Sequence, residues 1–143
     1  MTSVLVKEVR PHDVPGVTVR VKTGCGNLYV TVSYVVPKVP FEIFAVLGKS
    51  GGCASCQNEA ITRTVSQGLR YGVPAFEYVR MLKGIRCLSP MFQDGGGGMI
   101  LSCPDAVGQV LDKFMNGGYE NGSDESRSRK NPGDNEARSG SSD

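Results

Sequence analysis

The chain has no tryptophan, a single histidine (His12), and no apolar run near the roughly eighteen residues that a membrane-crossing helix needs. The missing run excludes a transmembrane helix. The opening decapeptide, Met1 to Arg10, carries charge where a secretory signal would be apolar, so a cytoplasmic location is expected. With one histidine, and that one near the N-terminus, no nucleophile–histidine–carboxylate set can be assembled on paper, and no catalytic residue is assigned. Runs of like charge are also missing, as are basic residues interleaved with aromatics. The linear pattern therefore argues against a dedicated nucleic-acid binder.

A further absence divides the chain. From Asn116 to Asp143 there is no Val, Ile, Leu, Phe or Met, and Gly, Ser, Asn, Asp, Glu and Arg dominate. Such a segment cannot bury enough apolar surface to offset the entropy of ordering it, which predicts a disordered tail over 116–143. Charge separates at the same point. Residues 1–115 hold 12 Lys/Arg against 8 Asp/Glu, or +4, and the tail holds 4 against 6, or −2. One folding unit over 16–115 follows, preceded by an extended leader over 1–15 that ends in Pro-His-Asp-Val-Pro.

Within that unit the hydrophobic period changes once. Val17, Val19 and Val21 alternate with Thr18, Arg20 and Lys22, which describes a half-buried strand. Leu28 to Val36 is a second strand, with aromatic and β-branched residues on both faces and hence central, and Phe41 to Leu47 is a third. The short links between them predict an antiparallel meander. After Gly48-Lys49-Ser50-Gly51-Gly52-Cys53 the spacing of Ala54, Ile61, Val65 and Leu69 becomes helical and closes at Gly72. Pro74 opens a second helix carrying Phe76, Val79 and Leu82. Met91 to Leu101 reads as a loop or weak hairpin around Gly95 to Gly98. Ser102-Cys103-Pro104-Asp105 starts a third helix, with Asp105 complementing its positive end. The fold class is α+β: a small three-stranded antiparallel sheet followed by about three helices.

Chemistry concentrates in five cysteines. Cys25, Cys53, Cys87 and Cys103 all fall at turns or element ends, where four thiolates can converge on zinc or an iron–sulfur cluster. Only one Cys-x-x-Cys is present, Cys53 to Cys56, so the alternative of small buried residues stays open. The same pair reads as a redox dithiol at a helix start, although no β-α-β unit precedes it. Lys49, Ser50, Gly51 and Gly52 form an anion-binding candidate at a helix N-terminus, but a phosphate loop needs glycine where Ile43 stands. Glu59 and Asp105 read as solvated or capping groups rather than an acid–base pair.

Five segments together resemble a known family. They are Thr23-Gly-Cys-Gly-Asn-Leu-Tyr-Val-Thr-Val32, Phe41 to Cys53, Asn58-Glu-Ala-Ile-Thr-Arg63, Leu82-Lys-Gly-Ile-Arg-Cys87 and Ser102-Cys-Pro-Asp-Ala106. In this order, from Gly16 to Met115, they resemble the TSCPD domain, found near the C-terminus of adenosylcobalamin-dependent (class II) ribonucleotide reductases and as short free-standing proteins. Leu101 stands where the naming motif has threonine, and Cys56 stands where many relatives have a small residue. The resemblance implies an accessory or regulatory module of deoxynucleotide metabolism, and the turn-placed Cys25, Cys53, Cys87 and Cys103 are expected to hold a zinc ion in it. It implies a protein partner, either ribonucleotide reductase or replication machinery, and no membrane. No cobalamin is expected, because the reductase barrel is absent. A thiol–disulfide relay through Cys53 and Cys56, or nucleotide sensing, are the alternatives.

Overall fold

A computed structural model describes residues 4–48 and 52–119. Three strands lead: β1 (Gly16–Thr23), β2 (Gly26–Tyr34) and β3 (Pro40–Leu47), antiparallel in the order β1-β2-β3. Helices α1 (Cys53–Arg70) and α2 (Ala75–Leu82) follow. A two-residue hairpin, β4 (Met91–Phe92) with β5 (Met99–Ile100), then leads into α3 (Cys103–Met115). The α+β class, the meander and the helices match the sequence reading, and so does the weak hairpin around the glycines.

Alternation decides which face is inside. Val17, Val32 and Ile43 share one row across the sheet, and Val21, Leu28 and Leu47 share another. Together with Val30 and Ala45 they pack on one stripe of α3, whose Ala106, Val107, Val110, Leu111 and Phe114 are buried. α2 rests on α3, and α1 runs beside β3.

The two outer strands are finished by side chains. Ser66 of α1 accepts the Ile43 N–H at 2.9 Å and donates to the Ile43 carbonyl at 2.8 Å, so one hydroxyl satisfies both outward backbone groups of that β3 residue. On β1 the Gln93 amide does the same for Lys22, accepting its N–H at 3.1 Å and donating to its carbonyl at 2.6 Å.

The leader is a strap rather than a loose arm. The Glu8 N–H donates to the Arg70 carbonyl at 2.8 Å, and the Lys7 ammonium donates to Gln67 at 2.7 Å. Arg10 pairs with Glu42 at 3.0 Å. At the other end, Asn116 to Tyr119 still belong to the packed body, although composition assigns them to the tail. The Gly118 N–H closes the end of α3 on the Lys113 carbonyl, and the Lys113 ammonium lies 4.9 Å from the centre of the Tyr119 ring. Burial raises the Tyr119 hydroxyl above its ordinary 10.0. The tail beyond Tyr119 lies outside the described residues.

Candidate functional site

The turn between β1 and β2 is two residues long, Gly24-Cys25, and its construction places the first cysteine. Gly26 has φ 119°, a conformation open to glycine and costly for other residues. Gly24 approaches the next chain segment so closely that a Cβ there would overlap the carbonyl oxygen and side chain of Ser89. The hairpin tip is thereby pressed onto the stretch that carries Cys87. Cys87 is held in turn: its N–H donates to the Leu101 carbonyl at 3.0 Å, and its sulfur accepts the Ser89 N–H at 3.3 Å.

Cys103 arrives at the same corner from the start of α3. Ser102 caps that helix by accepting the Asp105 N–H at 3.1 Å while its hydroxyl donates to the Ile85 carbonyl at 2.6 Å. Asp105 is 2% exposed and holds three donors: Leu101 N–H at 2.9 Å, Gly84 N–H at 2.9 Å and the Gln109 amide at 2.7 Å. The motif Ser102-Cys-Pro-Asp105 thus stitches the 84–87 segment to the helix start. The residue that joins hairpin to helix is Thr23, which is buried. Its hydroxyl donates to the Gly26 carbonyl at 2.7 Å and accepts from both the Cys25 N–H (3.3 Å) and the Cys103 thiol (3.7 Å).

Three of the four candidate ligands therefore share one corner. The Cys25 thiol is held above its ordinary 9.0 by burial first, then by Cys103 through both charge and hydrogen bonding, and then by Cys87. Cys103 is buried, while Cys25 and Cys87 are exposed. Cys53 is not among the thiols acting on Cys25. It opens α1 as an exposed thiol, and the exposed Cys56 thiol donates to its carbonyl at 3.1 Å. Among the described residues, no three or more His, Cys, Asp and Glu side chains stand close enough to hold a metal ion as they are.

Of the anion-binding candidates, Lys49, Ser50 and Gly51 lie outside the described residues. Gly52 is the N-cap of α1, with φ 87° and no side-chain cap bond. His12 is exposed beside Asp13. Glu59 pairs with Arg63 along the helix surface at 2.8 Å, in keeping with a solvated group. Thr23, Ser89 and Asp105 shape the cysteine corner, and their part in it is legible only in three dimensions, save for the Ser-x-x-Asp spacing of a helix cap. The hairpin also borders an open cleft of about 490 Å³ lined by Lys22, Cys25, Asn27, Tyr29 and Met91.

A small α+β domain with cysteines at its hairpin tip and helix starts is the class these features define. The sequence model of the TSCPD domain matches residues 4–115, and the chain belongs to that family. The match begins at residue 4 and so takes in the leader strap as well as the region from Gly16. No curated protein and no solved structure matches the chain. No helix among the described residues is long and apolar enough to cross a membrane.

Proposed function

We propose that this protein is an accessory, non-catalytic module in which Cys25, Cys87 and Cys103 take a zinc ion, and that it docks on a protein partner in deoxynucleotide metabolism. One observation carries the reading. Thiols from three segments far apart in the chain gather at the Thr23 corner, where burial and mutual proximity raise the Cys25 thiol. The donor set suits zinc, a borderline-soft ion that takes thiolate sulfur. Cys53 or a group from outside the domain completes the four ligands. Metal bound here supplies cross-links between the hairpin, the 84–90 segment and α3. Structural zinc of this kind contributes on the order of 10 kcal/mol to folding. The partner is ribonucleotide reductase or replication machinery, and the cytoplasm is the compartment where such thiols stay reduced.

Elemental analysis of the full chain, purified untagged under reducing conditions, tests the reading together with a free-thiol count. About one zinc per chain is expected, lost in Cys25→Ser and Cys87→Ser and kept in Cys56→Ser. Negligible metal with five reactive thiols overturns it. The exposed Cys53 and Cys56, one turn apart at the start of α1, support a thiol–disulfide relay as the second reading. Under that reading Cys56→Ser abolishes electron transfer and leaves the fold unchanged.

A further inference from the structure

The outer face of the sheet, turned away from the helices, collects residues that are scattered in the sequence. Register places Arg20, Tyr29 and Val46 in one row across the three strands, and Thr18, Thr31 and Phe44 in the next. Tyr29 is 40% exposed and Phe44 is 45% exposed. They are diagonal neighbours on adjacent strands, a relation that sets residues about 7–8 Å apart. Two neighbouring bases of an extended strand can each take one ring at such a spacing. The hydroxyls of Thr18 and Thr31 bond to each other at 2.8 Å in the row of Phe44.

The cations on this face outweigh its free negative charge. Arg20 forms no ion pair among the described residues. Lys22, further along β1, meets only the highly exposed Asp94 at 3.7 Å, a contact of little strength in water. Glu42 projects on the same side and is already neutralised by Arg10 at 3.0 Å and Arg70 at 3.8 Å. The cleft bounded by Lys22, Asn27 and Tyr29 extends the face past the hairpin. Residues 1–115 carry +4 in all.

We infer that this face binds single-stranded nucleic acid, with bases stacked on Tyr29 and Phe44 and phosphates against Arg20 and Lys22. Two exposed rings beside Arg20, which has no ion pair among the described residues, and Lys22, only weakly paired with Asp94, match a polyanion that carries flat apolar faces. A second copy of this chain matches poorly, because two-fold pairing would set the same cations against each other. The linear sequence contains no basic–aromatic stripe, since the stripe exists only once β1, β2 and β3 are in register. Tyr29, Phe44 and Arg20 need no metal for this role, although the cleft beside Lys22 also borders Cys25.

Fluorescence anisotropy of the full chain with labelled oligo-dT and oligo-rU of about ten nucleotides tests the inference at low salt. Dissociation constants of about 10⁻⁶–10⁻⁴ M are expected, with little preference for base. Tyr29→Ala and Phe44→Ala should each weaken binding about fivefold or more. Arg20→Ala should reduce the slope of log K against log salt by about 0.7. Circular dichroism checks that these surface variants keep the fold, and His12→Asn, an exposed position in the leader, should bind as the parent does. Absence of binding across that range overturns the inference, as does binding indifferent to all three substitutions. A dimer in sedimentation that Phe44→Asp abolishes also overturns it, in favour of a second copy on this face.

Discussion

Both long helices begin with a cysteine, and the two beginnings could hardly differ more. α3 starts on Ser102, whose hydroxyl caps it, with proline in the first turn and the buried Asp105 receiving three donors. Its cysteine, Cys103, is 8% exposed and bonded to Thr23. α1 starts on Gly52, with no side-chain cap and no acid in its first turn, and its cysteine is exposed. The same residue type at the same helical position is thus a fixed part of the interior in one case and an accessible thiol in the other. The neighbours decide. A capping residue fixes the chain's entry angle, and a buried carboxylate anchors the adjoining segments, so that a thiol between them has one place to go.

Removing the anchor should erase the contrast. Asp105→Ala strands the Leu101 and Gly84 N–H groups in the interior, and urea unfolding should show a loss of about 3–4 kcal/mol. With both proteins freed of metal by chelator, Cys53→Ser, at the matching place on α1, should cost less than about 0.5 kcal/mol in the same assay. Equal losses in the two variants would refute the comparison. Gly24→Ala tests whether the hairpin tip is pressed into place, because its new methyl meets the Ser89 backbone. A cost of about 1–3 kcal/mol is expected, with faster alkylation of Cys103 as the corner loosens.

Smaller effects sharpen the comparison. Gly52→Ser supplies the residue type that caps α3, yet it should not stabilise α1. Gly52 sits at φ 87°, which costs a residue with Cβ about 1 kcal/mol or more, so the melting temperature should fall or stay unchanged. The Cys25 thiol gives the mildest signature. Its pKa is raised in the folded protein, so above pH 9.0 the native state keeps a proton that the unfolded chain releases. Stability should therefore decline as pH rises through about 9 and beyond. At pH 9 a chelator-treated sample should alkylate Cys25 more slowly when folded than in urea, and equal rates would count against the crowded corner.

Much of the fold is legible in the sequence because local rules dominate there. The valines from Val17 to Val21 alternate cleanly, the links between strands are short, and Ser102 and Pro104 mark a helix start by their own chemistry. The cysteine corner is only partly legible. Turn positions flag Cys25, Cys87 and Cys103, but which thiols meet depends on Gly24 packing against Ser89, a contact across more than sixty positions. Asp105 reads as a surface complement to a helix dipole, whereas the structure buries it under three donors, because the 84–87 segment folds over the start of α3. Ser66 and Gln93 carry no sequence signal for their work, since each serves a strand far away in the chain. The outer-face pairing of Tyr29 with Phe44 is implicit in alternation alone, and becomes visible only when the register is known.

Ser66 and Gln93 have a consequence for life at high concentration. A three-stranded sheet has two rims and a single interior strand, so an unusually large share of its backbone is available to recruit a neighbouring chain. Here each rim is occupied at one point by a side chain that imitates a strand partner. A passing β-strand must displace a bonded hydroxyl on one side or a bonded amide on the other before it can add. Two polar side chains outside the apolar core thus guard the domain against templating its own aggregation.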